Sequence, residues 1–418
     1  MDNQKIKDSF SLYLKECPDV KTTIHWYNLY EGHYVELDKD FQKELFEKAV
    51  NKAGNYSELG RLLDTARKTL SNCSKGKTST QIKVLKKITD YIDHPLENFN
   101  NKIIEIAGLK PNLPFRLHNK EGAEIRAAFL SDGHIDKHQT SPAQYCAYEI
   151  ELHERLIDLC KKIFGEFKTK TYFNSRSHIT KFPAVIGRAL ELSGLPRGDK
   201  RLANSYLPKD ILVSNKEVQT SYLRRVFDDE GDVCFDKSGK RAVRITRSVN
   251  INHLKIDIPS ERWIRFQLPI YFRQNLLLGE QLLLLQLGIY SRLYPEGIYR
   301  SRNGNLTAKW RIQIARQDQL RRFSELINFN LTDKQNKLKD ALKSYKLNER
   351  PNGEGDKHAY EFLMKVYKEK GFFKFGDLGK ELVKIDRSYD LAGKYLANLA
   401  RKGLIKKIKR GVYTFDTN

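Results

Sequence analysis

Ile125–Gly133 reads IRAAFLSDG, and Leu223–Gly231 reads LRRVFDDEG. Each is a helix-like run that closes on an acid followed at once by glycine: Asp132 before Gly133, and Glu230 before Gly231. A glycine after a helix lets the chain leave with a positive φ, which holds the preceding carboxylate at the helix end. A carboxylate there opposes the helix macrodipole, and a bound metal ion would offset that cost. One such ending reads as a solvated cap. Two in equivalent places of a repeat point to chemistry.

The repeat becomes visible on moving outward. After EIRAAFLSDG come a strand-like AQYCAYEIEL, a helix over HERLIDLCKKIFG, a hairpin-like KTKTYFNSRSHITKF and a helix over AVIGRALELSG. After SYLRRVFDDEG come strands in DVCFDKSGKRAVRITRSVNI, a helix over GEQLLLLQLGI, a hairpin in GIYRSRNGNLTAKWRIQIA and a helix over DQLRRFSELINF. The order α-β-β-α-β-β-α therefore occurs twice between about residues 106 and 332, an internal repeat of unit despite diverged sequence. LPRGDKRLANSYLPKD connects the two passes, and LKIDIPSERWIRFQLPIYF is an insertion in the second.

Both flanks predict compact modules. NYSELGRLLDTARKTLSNCSKGKTSTQIKVLKKITDYI carries Leu59, Leu62, Leu63, Ile82, Leu85 and Ile88 at helical spacing, with Ser57 as the expected N-cap. The polar segment around Lys75, Gly76 and Lys77 breaks the run as a helix-turn-helix would, with Ala66–Cys73 as the recognition helix. Past a charged linker, KSYKLNERPNGEGDK, three helix-like stretches end in LIKKIKRGVYTF, two short strands around Gly411. That is a winged-helix pattern, with Arg401, Lys402, Lys406, Lys407, Lys409 and Arg410 placing positive charge on its reading end and wing.

Composition supports a polyanionic partner. The 418 residues hold 75 Lys and Arg against 52 Asp and Glu, a formal charge of +23. Neutralising phosphates with such cations releases condensed counterions and drives association with nucleic acid. Hydrophobic residues make up 40% of the chain and aromatic residues 11%, enough for packed cores and too many for a disordered basic tail. The 5 cysteines form no CxxC pair, so neither a disulfide framework nor a zinc site is indicated. The N-terminus lacks the apolar core of a signal peptide, and LLLGEQLLLLQLGI, broken by Gly279, Glu280 and Gln281, reads as a buried helix rather than a membrane span.

The two signature segments resemble those of the LAGLIDADG homing endonucleases in their single-chain, two-motif form. The likeness covers roughly residues 106 to 332 and places Asp132 and Glu230 at the metal-binding acid of each motif. It implies an α+β fold: two pseudo-symmetric αββαββα halves, with the signature helices side by side and curved sheets forming a saddle over double-stranded DNA. The acids would meet at the base of the saddle and hold Mg²⁺ ions that activate water against each strand. Lys181 and Lys309 occupy late-strand places where the family sets a basic residue, beside the alternative that they simply face DNA. The sequence departs from the pattern at Arg225, where the family prefers a small residue and the first motif has Ala127. Its head group is expected to snorkel to the edge of the helix pair. Leu130 replaces an earlier acid of the motif, which Asp228 keeps in the second.

The expected layout is a helical helix-turn-helix-like domain at 1–105, LAGLIDADG halves at 106–215 and 216–335, and a winged helix at 355–418. Met1 in place of a splicing nucleophile, and Thr417 before Asn418, speak against an intein. The expectation is a monomeric, cytoplasmic, nucleoid-associated and magnesium-dependent double-strand endonuclease. The alternative is a non-cleaving transcriptional regulator on the same core, with a role in RNA maturation as a lesser possibility.

Overall fold

Helices and small antiparallel sheets alternate through the chain, an α+β fold. The computed structural model describes residues 3–236, 240–254, 274–301, 304–345, 354–385 and 387–415, so the insertion beyond residue 254 and the chain ends lie outside the described residues. Two compact units emerge. One comprises Met1–Glu230, Thr246–Gly288 and Leu293–Ile312; the other comprises Gly231–Ile245, Ile289–Arg292 and Gln313–Asn418.

The N-terminal region contains α1 (Asn3–Glu16), β1 (Thr23–Ile24), β2 (Tyr34–Leu37), α2 (Lys39–Ala53), α3 (Tyr56–Leu62) and α4 (Arg67–Ser74). It continues through β3 (Thr80–Gln81), α5 (Ile82–Ile92), β4 (Ile103–Ile106), β5 (Leu109–Pro111) and β6 (Phe115–Arg116). Short strands thus interrupt a stretch that periodicity alone reads as helical; two-to-four-residue strands are too brief to show alternation. Helices α3 and α4 meet at a tight turn: a Cβ on Gly60 would lie 2.7 Å from the Thr65 carbonyl oxygen. The cap of α3 is Asn55, whose side chain accepts from the Ser57 and Glu58 amides, rather than Ser57 itself. Helix α1 docks elsewhere. Tyr13 Oη donates to the Asn275 carbonyl at 3.0 Å and accepts from the Leu207 amide at 2.9 Å.

The first repeat runs α6 (Lys120–Ser131), β7 (Gly133–His134), β8 (Ala143–Ala147), α7 (Ile150–Phe164), β9 (Gly165–Phe167), β10 (Thr171–Phe173), β11 (His178–Phe182) and α8 (Ala184–Leu192). Its sheet has the order β10-β11-β8-β7, while β9 leaves to extend the N-terminal sheet, pairing Leu109 with Phe167. The connector holds α9 (Lys200–Ala203) and α10 (Lys209–Leu212). The second repeat runs α11 (Lys216–Glu230), β12 (Gly231–Phe235), β13 (Arg241–Asn250), α12 (Asn275–Gln286), β14 (Arg292–Arg300), β15 (Leu306–Ile314) and α13 (Gln317–Leu326). Read from its far edge, its strand order is β14-β15-β13-β12, the same pattern.

Helices α6 and α11 pack along each other. Every residue of α6 from Gly122 to Ser131 is buried, including the small Ala127 and Ala128 that permit close approach. Arg126 is also fully buried: its guanidinium forms two 2.7 Å bonds to the Asp210 carboxylate and donates to the Leu117 carbonyl at 2.9 Å, tying α6 to α10. Arg225 does not snorkel. It is 0% exposed, with Nε 3.1 Å from Asp229 Oδ1, Nη1 donating to the Leu152 carbonyl at 3.2 Å and its guanidinium 4.9 Å above the Tyr145 ring. Tyr145 Oη donates to the same carboxylate at 2.7 Å. An acid one turn further along the helix and an aromatic face from the first repeat supply inside the protein what the head group would otherwise seek in water.

In the other unit, α14 (Thr332–Lys343) packs on β12, and Arg241 donates to Ser344 Oγ at 2.6 Å. Beyond it come α15 (Glu354–Lys370), β16 (Phe373–Lys374), α16 (Phe375–Lys384), α17 (Leu391–Arg401), β17 (Ile405–Lys409) and β18 (Val412–Phe415). Leu363, Phe373, Leu382, Leu396 and Phe415 belong to one core there. Strand β16 adds a third member to the terminal ribbon, in the order β16-β18-β17.

The buried Arg225 pair sets a stability test. Arg225→Ala leaves the desolvated Asp229 carboxyl without its cation, and is expected to cost about 3–5 kcal/mol in urea denaturation. Combining it with Asp229→Ala should cost clearly less than the sum of the two single changes, since the double variant strands no charge. Strict additivity would remove the pair from the account.

Candidate functional site

The two acids owe their position to the helix pair. Asp132 caps α6 at φ −97°, ψ 3°, and Glu230 is the last residue of α11. Gly133, which follows Asp132, serves space rather than a left-handed exit. Gly133 opens β7, and a Cβ there would stand 2.4 Å from Phe129 Cα. Gly231 opens β12, opposite Ile245.

Acids crowd the place where the helices end. Burial, reinforced by the nearby charges of Asp229 and Glu230, pushes the Asp132 carboxyl up to about 7. Burial also raises Asp229, to about 6, against the pull of Arg225 and the Tyr145 hydroxyl.

Two cations answer the acids, and neither was singled out from the sequence. Arg247 on β13 is 8% exposed. It donates to Glu230 Oε1 at 3.2 Å and to Glu280 Oε1 at 2.7 Å, and reaches Ser131 Oγ at 3.3 Å. Lys200, from the connector, donates to the carbonyls of Ser131 and Phe129, and burial lowers its ammonium to about 8. Glu280 carried the available signal: an acid inside the apolar LLLGEQLLLL needs a buried cation, and Arg247 provides it. Nothing in the composition of the connector distinguished Lys200 from its basic neighbours.

A cavity of about 520 Å³ opens beside this cluster, lined in part by Ser131, Lys200, Arg201, Glu230, Arg247 and Gln274. Asp132 does not line it.

Lys181 and Lys309 each meet a partner on a neighbouring strand. Lys181 is exposed on β11, opposite Gln144, with its ammonium 5.8 Å from the Tyr172 ring centroid. It lines a different cavity, with Lys110 and Phe167. Lys309 on β15 pairs with Glu296 at 3.1 Å, beside Arg311, which binds the same carboxylate. Arg401, Lys402, Lys406, Lys407, Lys409 and Arg410 are all exposed, and Lys402 reaches Asp356 at 3.0 Å.

A hard divalent ion suits the donor set at the helix ends. Two carboxylates, one from each helix, stand where negative charge is in excess, and substrate phosphates commonly complete such a shell. Among the described residues no group of three or more His, Cys, Asp or Glu is arranged to hold an ion by itself.

The raised carboxyl has a consequence for stability. With its folded value at about 7 against about 4 in the unfolded chain, Asp132 binds a proton more tightly when folded. Its contribution to stability is therefore lost as pH rises from about 4 to about 7. In chelator at pH 8, Asp132→Asn should melt at a higher temperature than the wild type, with the gap closing toward pH 4. A lower melting temperature for the variant at pH 8 would contradict the assigned crowding.

A LAGLIDADG-like domain model matches residues 217–328. A search of curated protein sequences returns no match. Among solved structures, mesophilic variants of the homing endonuclease I-DmoI align at 13% identity and a TM-score of 0.32, over 54% of this chain and 98% of theirs. The N-terminal LAGLIDADG domain of DUF199/WhiA aligns at 14% identity and a TM-score of 0.29, over 52% and 86%. Full-length DUF199/WhiA from Thermatoga maritima aligns at 13% and 0.32, over 70% and 93%. The match to a LAGLIDADG-like domain thus covers the second repeat, residues 217–328.

Proposed function

We propose that this protein binds double-stranded DNA and hydrolyses a phosphodiester bond in each strand at Asp132 and Glu230, as a monomer with a divalent ion such as Mg²⁺. The observation that carries this reading is the acid pair itself: the two signature helices pack together and end on Asp132 and Glu230. An ion held between these carboxylates would supply Lewis-acid charge at the scissile phosphate and lower the pKa of a bound water.

The chain's own groups have separate roles in this reading. Asp132 and Glu230 hold the ion, one from each helix. Arg247 positions Glu230 and anchors it to Glu280. Lys200 holds the Ser131 carbonyl and brings a second positive charge near the phosphates. Lys181 and Lys309 act on the sheets as DNA-facing cations, and the net charge of +23 supplies the long-range attraction. The helix-turn-helix-like segment in 1–105 and the winged helix at 355–418, with its cations from Arg401 to Arg410, add DNA contacts to those of the two halves at 106–215 and 216–335. Such a protein would work where the chromosome is, in the cytoplasm and on the nucleoid.

A second reading has its own support. Arg247 already occupies one oxygen of Glu230, and Lys200 already occupies the Ser131 carbonyl. Protein cations so placed would suit a regulator that binds DNA through the same core without an ion and without cutting.

Cleavage of a supercoiled target carrying the gene's own flanking DNA separates the two. The proposal expects cutting in Mg²⁺, none in chelator, and a loss of more than about 100-fold in Asp132→Asn and Glu230→Gln with DNA binding retained. Full-rate cutting by either variant removes these acids from the chemistry. DNA binding by the wild type with no cutting of any candidate site selects the regulator.

A further inference from the structure

Helices α13 and α14 bury Leu320 and Phe323 from the first and Leu338 and Ala341 from the second. A different face of each is polar. Arg321, Ser324 and Asn328 follow at intervals of three and four residues along α13 and just past its end, and Asn336, Lys339 and Lys343 repeat that spacing on α14. Residues so spaced share one side of a helix. With Gln335 and Leu342, these side chains line a cavity of about 570 Å³. The acids of the two helices, Asp318, Glu325, Asp333 and Asp340, do not line it. Among the described residues, no ion pair engages Arg321, Lys339 or Lys343.

Asn328 makes a second demand on an occupant. It takes a left-handed φ of +56°, with its backbone amide donating to the Phe323 carbonyl at 2.9 Å, and its side-chain Oδ1 is buried without a hydrogen-bond partner. The turn alone accounts for an asparagine at a helix end. It does not account for a buried acceptor left unpaired, which is costly, beside three cations without acids. A phosphate group answers the cations through charge-assisted hydrogen bonds, and a hydroxyl answers Oδ1. Leu342 is the one apolar residue in the lining, so an apolar ring finds no surface to lie on. The backbone of a DNA strand brings phosphates but no hydroxyl. We infer that the α13–α14 cleft is a binding site for a small sugar phosphate, with Arg321, Lys339 and Lys343 on the phosphate and Asn328 accepting from a sugar hydroxyl. The inference stands on these two helices and is independent of the DNA-binding reading above.

Isothermal titration of the whole chain with ribose 5-phosphate, inorganic phosphate and ribose tests the assignment. Ribose 5-phosphate should bind, inorganic phosphate should bind at least about tenfold more weakly, and ribose should give no heat. Arg321 and Lys339 are exposed, so Arg321→Ala and Lys339→Ala should keep the wild-type melting temperature while weakening ribose 5-phosphate at least about tenfold. Asn328→Gly keeps the left-handed turn, because glycine adopts a positive φ freely. It should weaken ribose 5-phosphate about tenfold and leave inorganic phosphate unchanged. All three variants should bind duplex DNA as the wild type does. No binding of ribose 5-phosphate in the millimolar range, or wild-type affinity for it in Asn328→Gly, would overturn the inference. Loss of duplex affinity in Arg321→Ala and Lys339→Ala, without binding of ribose 5-phosphate, would overturn it too and assign these cations to a DNA backbone.

Discussion

The packing of α6 against α11 is the constraint on which the site depends. Neither acid is placed by a loop. Each stands at the end of one of two buried helices, so their meeting follows from helix packing and would drift apart with it. Ala127 and Ala128 let the helices approach. The surrounding structure then fixes them with buried ion pairs: Arg126 with Asp210 on one side, and Arg225 with Asp229 and Tyr145 on the other. Buried ion pairs add little net stability over apolar packing, yet breaking one is costly. Their effect is to tie α6 to α10, and α11 to β8 and α7, the elements around the helix pair.

The electrostatics at the helix ends carry two opposed tendencies. Burial raises both Asp132 and Asp229, and the nearby charges of Asp229 and Glu230 raise Asp132 further, which invites positive charge. Arg247 and Lys200 supply some of it from within the protein. They sit on elements separate from the two helices, β13 and the connector, so the site draws on both repeats and on the segment between them. In the proposed function, the balance between internal and external cations is what would separate cutting from binding alone.

Much of this was legible in the chain itself. The twice-repeated order of helices and strands follows from periodicity, and the two acid-glycine endings single out Asp132 and Glu230, which stand at the ends of α6 and α11. What periodicity hides is whatever depends on partners distant in sequence. Arg225 looked out of place on its helix because Tyr145 and Leu152 come from the other repeat. Arg247 looked like one more cation on a basic strand, and its partner Glu280 lies 33 residues away. Lys181 and Lys309 hold similar late-strand places, yet their partners differ, a Tyr172 ring for one and the Glu296 carboxylate for the other, and strand periodicity shows neither. Strands β1, β3 and β6, each of two residues, are shorter than one period of alternation and leave no sequence signal.

The proposed function requires the two helix-end carboxylates to hold a divalent ion jointly. A titration of Mn²⁺ into the protein–DNA complex, followed by electron paramagnetic resonance of the free ion, tests it without requiring cleavage. The account predicts bound Mn²⁺ in the wild type and binding weakened at least about tenfold in both Asp132→Asn and Glu230→Gln. Equal Mn²⁺ affinity in all three proteins would contradict it.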